Sequence, residues 1–157
     1  MWWKKILRIP LSVVLLLGAL AASIFRDVAS SRTEQNLEIS ATVIDKLTQL
    51  RLEKKYVNAP GTSFNGMKPE PIRRIAEDQL DALLDIFLRD IASHPHKRFV
   101  LQKFSETLSV FPSADTEDRE RLLRYLEQIM DVLGIQNSDG LLNRWMYGPV
   151  LGRVIPR

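Results

Sequence analysis

Two histidines and three aspartates are the residues here whose type and spacing could do chemistry. His94 and His96 flank Pro95 in one turn. Two imidazoles so placed can supply half of a zinc site, but zinc takes three or four protein ligands, and the chain has no cysteine and no further histidine. The expectation is a solvated cationic turn beside Lys97 and Arg98, with no metal and no cofactor. Asp78, Asp81 and Asp85 recur at helical spacing. Glycoside hydrolysis needs two carboxylates facing each other across a cleft, whereas side-by-side acids next to Arg74 and Arg89 read as a solvated helix face. There is no nucleophile elbow of the GxSxG form, no phosphate loop and no dinucleotide fingerprint. No catalytic residue is expected; an envelope enzyme of unrecognised type, using those acids, is the alternative.

Recognition is the other chemistry on offer. Between Asn137 and Tyr147 the chain gathers Asn143, Arg144, Trp145 and Tyr147 behind a polar turn, and Trp, Tyr and Arg dominate interface energetics. Arg144, Trp145 and Tyr147 are therefore the candidate protein-binding residues. The competing expectation makes Asn137 to Gly140 a capped turn, with Leu141, Leu142 and Trp145 as core.

These residues must be positioned by helices, because apolar residues recur at helical spacing and nowhere alternate convincingly. A first helix is expected over about Thr33 to Tyr56, with Leu37, Val43, Ile44, Leu47 and Leu50 inward. Ala59 to Pro71, rich in proline and glycine, is a loop; its dozen or so residues exceed most connections, a length that can mark function, though a plain connector is the default. A second helix starts near Pro71 and ends near Ser93, with Asp85 four residues before Arg89. A third runs from Lys97 to Val110. A fourth, capped by Ser113 or Asp115, buries Leu122, Tyr125, Leu126, Ile129, Met130 and Leu133 and closes at Gly134. A short fifth spans Ser138 to Tyr147 and stops at Gly148. The fold class expected is all-α: a small antiparallel bundle of four or five helices, preceded by an N-terminal transmembrane or signal helix.

That N-terminal expectation rests on residues 1–26. They carry Lys4, Lys5, Arg8 and Arg26 and no acid, around 17 uncharged residues from Ile9 to Phe25. The membrane segment would use Ile9, Leu11, Val13, Val14, Leu15, Leu16, Leu17, Leu20, Ile24 and Phe25; roughly 17 to 25 residues cross a bilayer as a helix. Trp2 and Trp3 suit the lipid interface and favour an uncleaved anchor, while Ala19 and Ala21 suit cleavage of a signal peptide before Ala22. The cations ahead of the segment place the N-terminus in the cytoplasm and the rest in the periplasm of a bacterial inner membrane. Removing the four cations of residues 1–26 from 22 Lys plus Arg leaves 18 against 19 Asp plus Glu. The remainder is near neutral with its charges interspersed, which argues against nucleic acid as a partner.

The segment Ile129 to Gly148, reading IMDVLGIQNSDGLLNRWMYG, resembles a bacterial family of helical domains, domain of unknown function 4844, and the resemblance extends over Leu37 to Gly148. It implies a small helical domain and brings no activity and no site residues. The expected organisation is an anchor or signal peptide at 1–26, a helical domain at 27–148 and a C-terminal tail at 149–157. The expected function is a membrane-tethered, envelope-facing protein-binding module with an unknown protein partner: an inhibitor, an immunity factor or an assembly accessory. The alternatives are the envelope enzyme and a periplasmic or secreted domain released by signal cleavage.

Overall fold

The computed structural model describes residues 34–58, 60, 61, 64–113 and 115–151. Five helices run through them: α1 (Ala41–Leu52), α2 (Glu70–Asp90), α3 (Lys97–Ser109), α4 (Thr116–Val132) and α5 (Leu141–Leu151). Sequential neighbours pack together, α1 on α2 and α2 on α3; α4 returns against α1, and α5 closes against α3 and α4.

Local chemistry explains most of these elements. Pro71 sits in the first turn of α2, where a missing N–H costs nothing, and Ala76, Leu80, Leu83, Leu84 and Phe87 follow at helical spacing and are buried. Asp115 caps α4 by accepting the Glu117 N–H at 2.8 Å, and Glu117 and Asp118 place acid in its first turn. Gly134, at φ 69°, ends α4; the Ile135 N–H reaches back to the Met130 carbonyl at 2.8 Å, a left-handed closure suited to glycine. Phe87 lies at the centre of the core, edge-on to Phe99 and Phe104 with ring centroids 6.2 and 6.0 Å away. Helix α5 is helical only to Tyr147, because Gly148 at φ 81° breaks it.

The first helix differs from expectation. It begins at Ala41, where Ser40 caps it. The preceding residues are extended and clasp the turn before α3: Leu37 N–H donates to the Pro95 carbonyl at 2.7 Å and Lys97 N–H to the Gln35 carbonyl at 2.9 Å. A long-range pairing thus outweighs a local helical preference that Gln35 to Leu37 could satisfy only by giving up these partners. At the other end α1 stops at Leu52, so the connection to α2 is longer than the loop expected from Ala59.

The membrane-spanning helix is also corrected. Among the described residues no helix is long and apolar enough to cross a membrane. The longest, α2 with 21 residues, carries charged side chains along its length and buries one face only, so it belongs to a bundle and not to lipid. The expected segment, Ile9 to Phe25, lies outside the described residues, as does 152–157 of the tail. With this correction the transmembrane helix ahead of the bundle, the membrane as partner, the tethered function and the single-pass inner-membrane location are withdrawn, while a periplasmic or secreted domain released by signal cleavage stays an alternative.

Candidate functional site

The connection between α1 and α2 is built with more charge than a plain linker needs. At its start the chain turns Lys55 inward until it is 1% exposed. The Lys55 ammonium donates to the carbonyls of Arg51 at 3.1 Å and Glu53 at 2.7 Å, which the end of α1 leaves free, and pairs with Asp81 at 2.6 Å. Arg51 bridges to Asp81 and Asp85, both at 2.8 Å. The backbone of Lys55 is gripped as well: its N–H donates to Glu77 at 2.8 Å, and its carbonyl accepts from Arg73 at 3.2 Å. Arg73 in turn pairs with Glu77 at 2.6 Å and Glu70 at 2.7 Å.

This frame sets the ionisation of its members. Burial pushes the Glu77 carboxyl up, but the Lys55 N–H and the Arg73 guanidinium outweigh it and hold it below the usual range. Hydrogen bonds from Arg73 and then Arg74 draw exposed Glu70 down to about 2. Glu70 and Glu77 are thereby held as carboxylates at neutral pH, in structural ion pairs with Arg73.

From this anchor Tyr56 takes a left-handed conformation, φ 56°. Its N–H donates to the Tyr125 hydroxyl at 3.1 Å, and its ring is buried against Tyr125 and Phe111, with centroids 5.2 and 6.0 Å away. The Tyr56 carbonyl accepts the Met67 N–H at 2.9 Å, which folds the connection back on itself. Gly66, at φ 83°, is needed here, since a Cβ would stand 3.0 Å from the Asn58 nitrogen. Between the two limbs of the fold and the first turn of α2 opens a cleft of about 720 Å³, lined by Val57, Asn58, Asn65, Met67, Lys68 and Arg73 among others. That size lies within the roughly 300–1,000 Å³ of small-molecule sites. Arg73 is already taken by two carboxylates, whereas among the described residues no acid pairs with Lys68.

The residues singled out from sequence lie elsewhere. Trp145 is half-buried: its indole N–H donates to the Leu108 carbonyl at 2.9 Å, its ring meets Phe111 edge-on at 5.9 Å, and the Arg119 guanidinium lies 4.5 Å from the ring centroid. Arg119 also donates to the Trp145 and Met146 carbonyls, serving the end of α5. Arg144 is exposed and donates to the Asp139 carbonyl at 3.0 Å, and Tyr147 is exposed. The turn before them is organised by Lys97, 2% exposed, whose ammonium reaches Asn137 at 2.9 Å and Asp139 at 2.8 Å. Trp145 thus packs partly into the bundle, while Arg144 and Tyr147 are exposed. The unknown protein partner gains no support from this arrangement and is withdrawn.

His94 and His96 do not converge on a ligand. His96 Nδ1 shares a hydrogen bond with the Asn36 side chain at 2.8 Å, and His94 stacks on Phe99 at 5.1 Å. Among the described residues no group of three or more His, Cys, Asp or Glu is placed to hold a metal. Of the acids of α2, Asp78 and Asp85 are exposed and Asp81 is partly buried; Asp81 and Asp85 pair with Arg51 of α1, and Arg89 pairs with Asp90 at 2.8 Å. Sequence reading missed Lys55, Lys68 and the cleft. The one signal available was the length of the connection; burial of a lysine between Lys54 and Tyr56 depends on acids more than twenty residues away and leaves no local trace.

Residues 38–150 match the family described as domain of unknown function DUF4844. A DUF3571 family protein from Acinetobacter baumannii is similar in fold, with a TM-score of 0.60 at 24% identity over 73% of this chain and 95% of that chain. No curated protein matches the chain.

Proposed function

We propose that this chain, which belongs to the DUF4844 family, is a non-catalytic recognition domain that takes a small amphiphilic anion in the cleft between α1 and α2. One observation carries the reading: a cleft of about 720 Å³ whose wall holds a cation, Lys68, with no acid committed to it among the described residues. Val57, Met67 and Pro69 offer an apolar side to such a molecule, and Asn58 and Asn65 offer amide donors and acceptors. The ion-paired frame under Lys55 fixes the floor before a ligand arrives, which lowers the entropic cost of binding. No reaction is assigned, because the carboxylates nearest the cleft, Glu70 and Glu77, are engaged by Arg73 and have no proton to give at neutral pH.

A thermal-shift screen of N-acyl amino acids and fatty acids against the full chain tests this. Binding to the native state raises the melting temperature by mass action. The expected result is a concentration-dependent rise, lost in Lys68→Glu and kept in Arg144→Ala. No rise from any member at its solubility limit, or a rise indifferent to Lys68→Glu, refutes the reading.

A further inference from the structure

We infer that Asn65 is a self-modifying position, its carboxamide converted by the neighbouring backbone into a carboxylate at the rim of the cleft. The inference does not depend on the cleft binding anything. Once hydroxide or water removes the Gly66 amide proton, that nitrogen can attack Asn65 Cγ. A new N–C bond closes a cyclic imide while the Cγ–Nδ2 bond breaks, and the side-chain nitrogen leaves as ammonia with the transferred proton. Water then opens the imide at one carbonyl or the other, giving aspartate or isoaspartate. Nothing is oxidised or reduced.

Asn65 combines three conditions that favour this step. Gly66 follows it and presents no side chain beside the attacking nitrogen. Asn65 is exposed and lines the cleft, so water and base have access. Among the described residues nothing holds its carboxamide, and nothing accepts the Gly66 N–H. The other asparagines lack one condition or more. Asn36 is bonded to His96. Asn137 accepts from Lys97 and from the Asp139 N–H. Asn143 is buried and precedes Arg144, and exposed Asn58 precedes Ala59. Asp139–Gly140 has the same backbone sequence, but its carboxylate is pinned by Lys97 at 2.8 Å and its carbonyl by Arg144. The product would place a new negative charge in the wall that holds Lys68 and Glu70.

The test is peptide mapping by mass spectrometry of the full chain, incubated folded at mildly alkaline pH and in parallel in denaturant, with enzymatic labelling of isoaspartate. The expected result is oxygen replacing NH at Asn65, faster at higher pH, within several-fold of the rate in denaturant, and ahead of every other asparagine. Asn65→Gln, whose longer side chain disfavours the ring closure, should remove the signal. The inference is overturned if Asn65 keeps its amide in the folded chain while reacting in denaturant, if it reacts in neither, or if another asparagine reacts first.

Discussion

Lys97 and Asp118 are the single side chains on which most depends, for opposite electrostatic reasons. Lys97 is buried with its charge satisfied by Asn137 and Asp139. Removing one partner of such a pair strands the other, at a cost of about 3–5 kcal/mol; Lys97→Ala is expected to lose that much stability in urea unfolding, far more than replacing exposed Arg98. Asp118 is buried at the start of α4, where the Ser113 hydroxyl donates to it at 2.9 Å. Burial raises its pKa against that hydrogen bond, and nearby Asp115 adds to the rise. A carboxyl whose folded pKa lies above the unfolded one binds its proton more tightly when folded. Its contribution is full below the unfolded value and is lost as pH rises through the folded one. Asp118→Asn is therefore expected to stabilise the chain at neutral pH and to steepen the fall of stability on the acid side, where protonation of Asp118 opposes the loss from Glu70 and Glu77; equal loss at all pH values would contradict this.

Helix ends and helix contacts were legible in the sequence to very different degrees. From Glu70 onward the boundaries lie within a few residues of expectation, because Pro71, Asp115, Gly134 and Gly148 act locally and each marks an end by itself. The start of α1 was not legible: residues 35–37 are drawn into pairing with residues 95–97, a partner sixty positions away. The cleft was legible only as a long connection. Its walls depend on Lys55 turning inward to Asp81 and on Arg73 holding the Lys55 carbonyl, which no local pattern encodes. Helix α5 was legible in place, while the sequence left its role open between a core position for Trp145 and a binding surface. Trp145 docks it on α3 through the Leu108 carbonyl, beneath Arg119. Trp145→Ala is expected to destabilise by about 3 kcal/mol, the lower end for a truncated aromatic, whereas Arg144→Ala, losing one exposed hydrogen bond, should cost about 0.5–1 kcal/mol. Thermal and urea unfolding of the two variants separates these values.

The connection between α1 and α2 serves both the core, to which it gives Tyr56, Phe64 and Met67, and the cleft, which its neighbouring residues line. Leu126 is fully buried in α4; Leu126→Ala should lower stability by about 2–5 kcal/mol and leave the cleft residues in place. The near-neutral charge of residues 27–157 makes no strong field for steering nucleic acid. Among the described residues Lys68 stands in the cleft wall with no acid paired to it. The most direct measurement is amide chemical-shift mapping of the isotope-labelled full chain titrated with N-acyl amino acids. The expected result is saturable shifts at Val57, Asn58, Asn65, Gly66, Lys68 and Glu70, with α5 unmoved. Shifts centred on Arg144 and Tyr147, or none up to the solubility limit of the probes, would contradict the assignment of the cleft as the binding site.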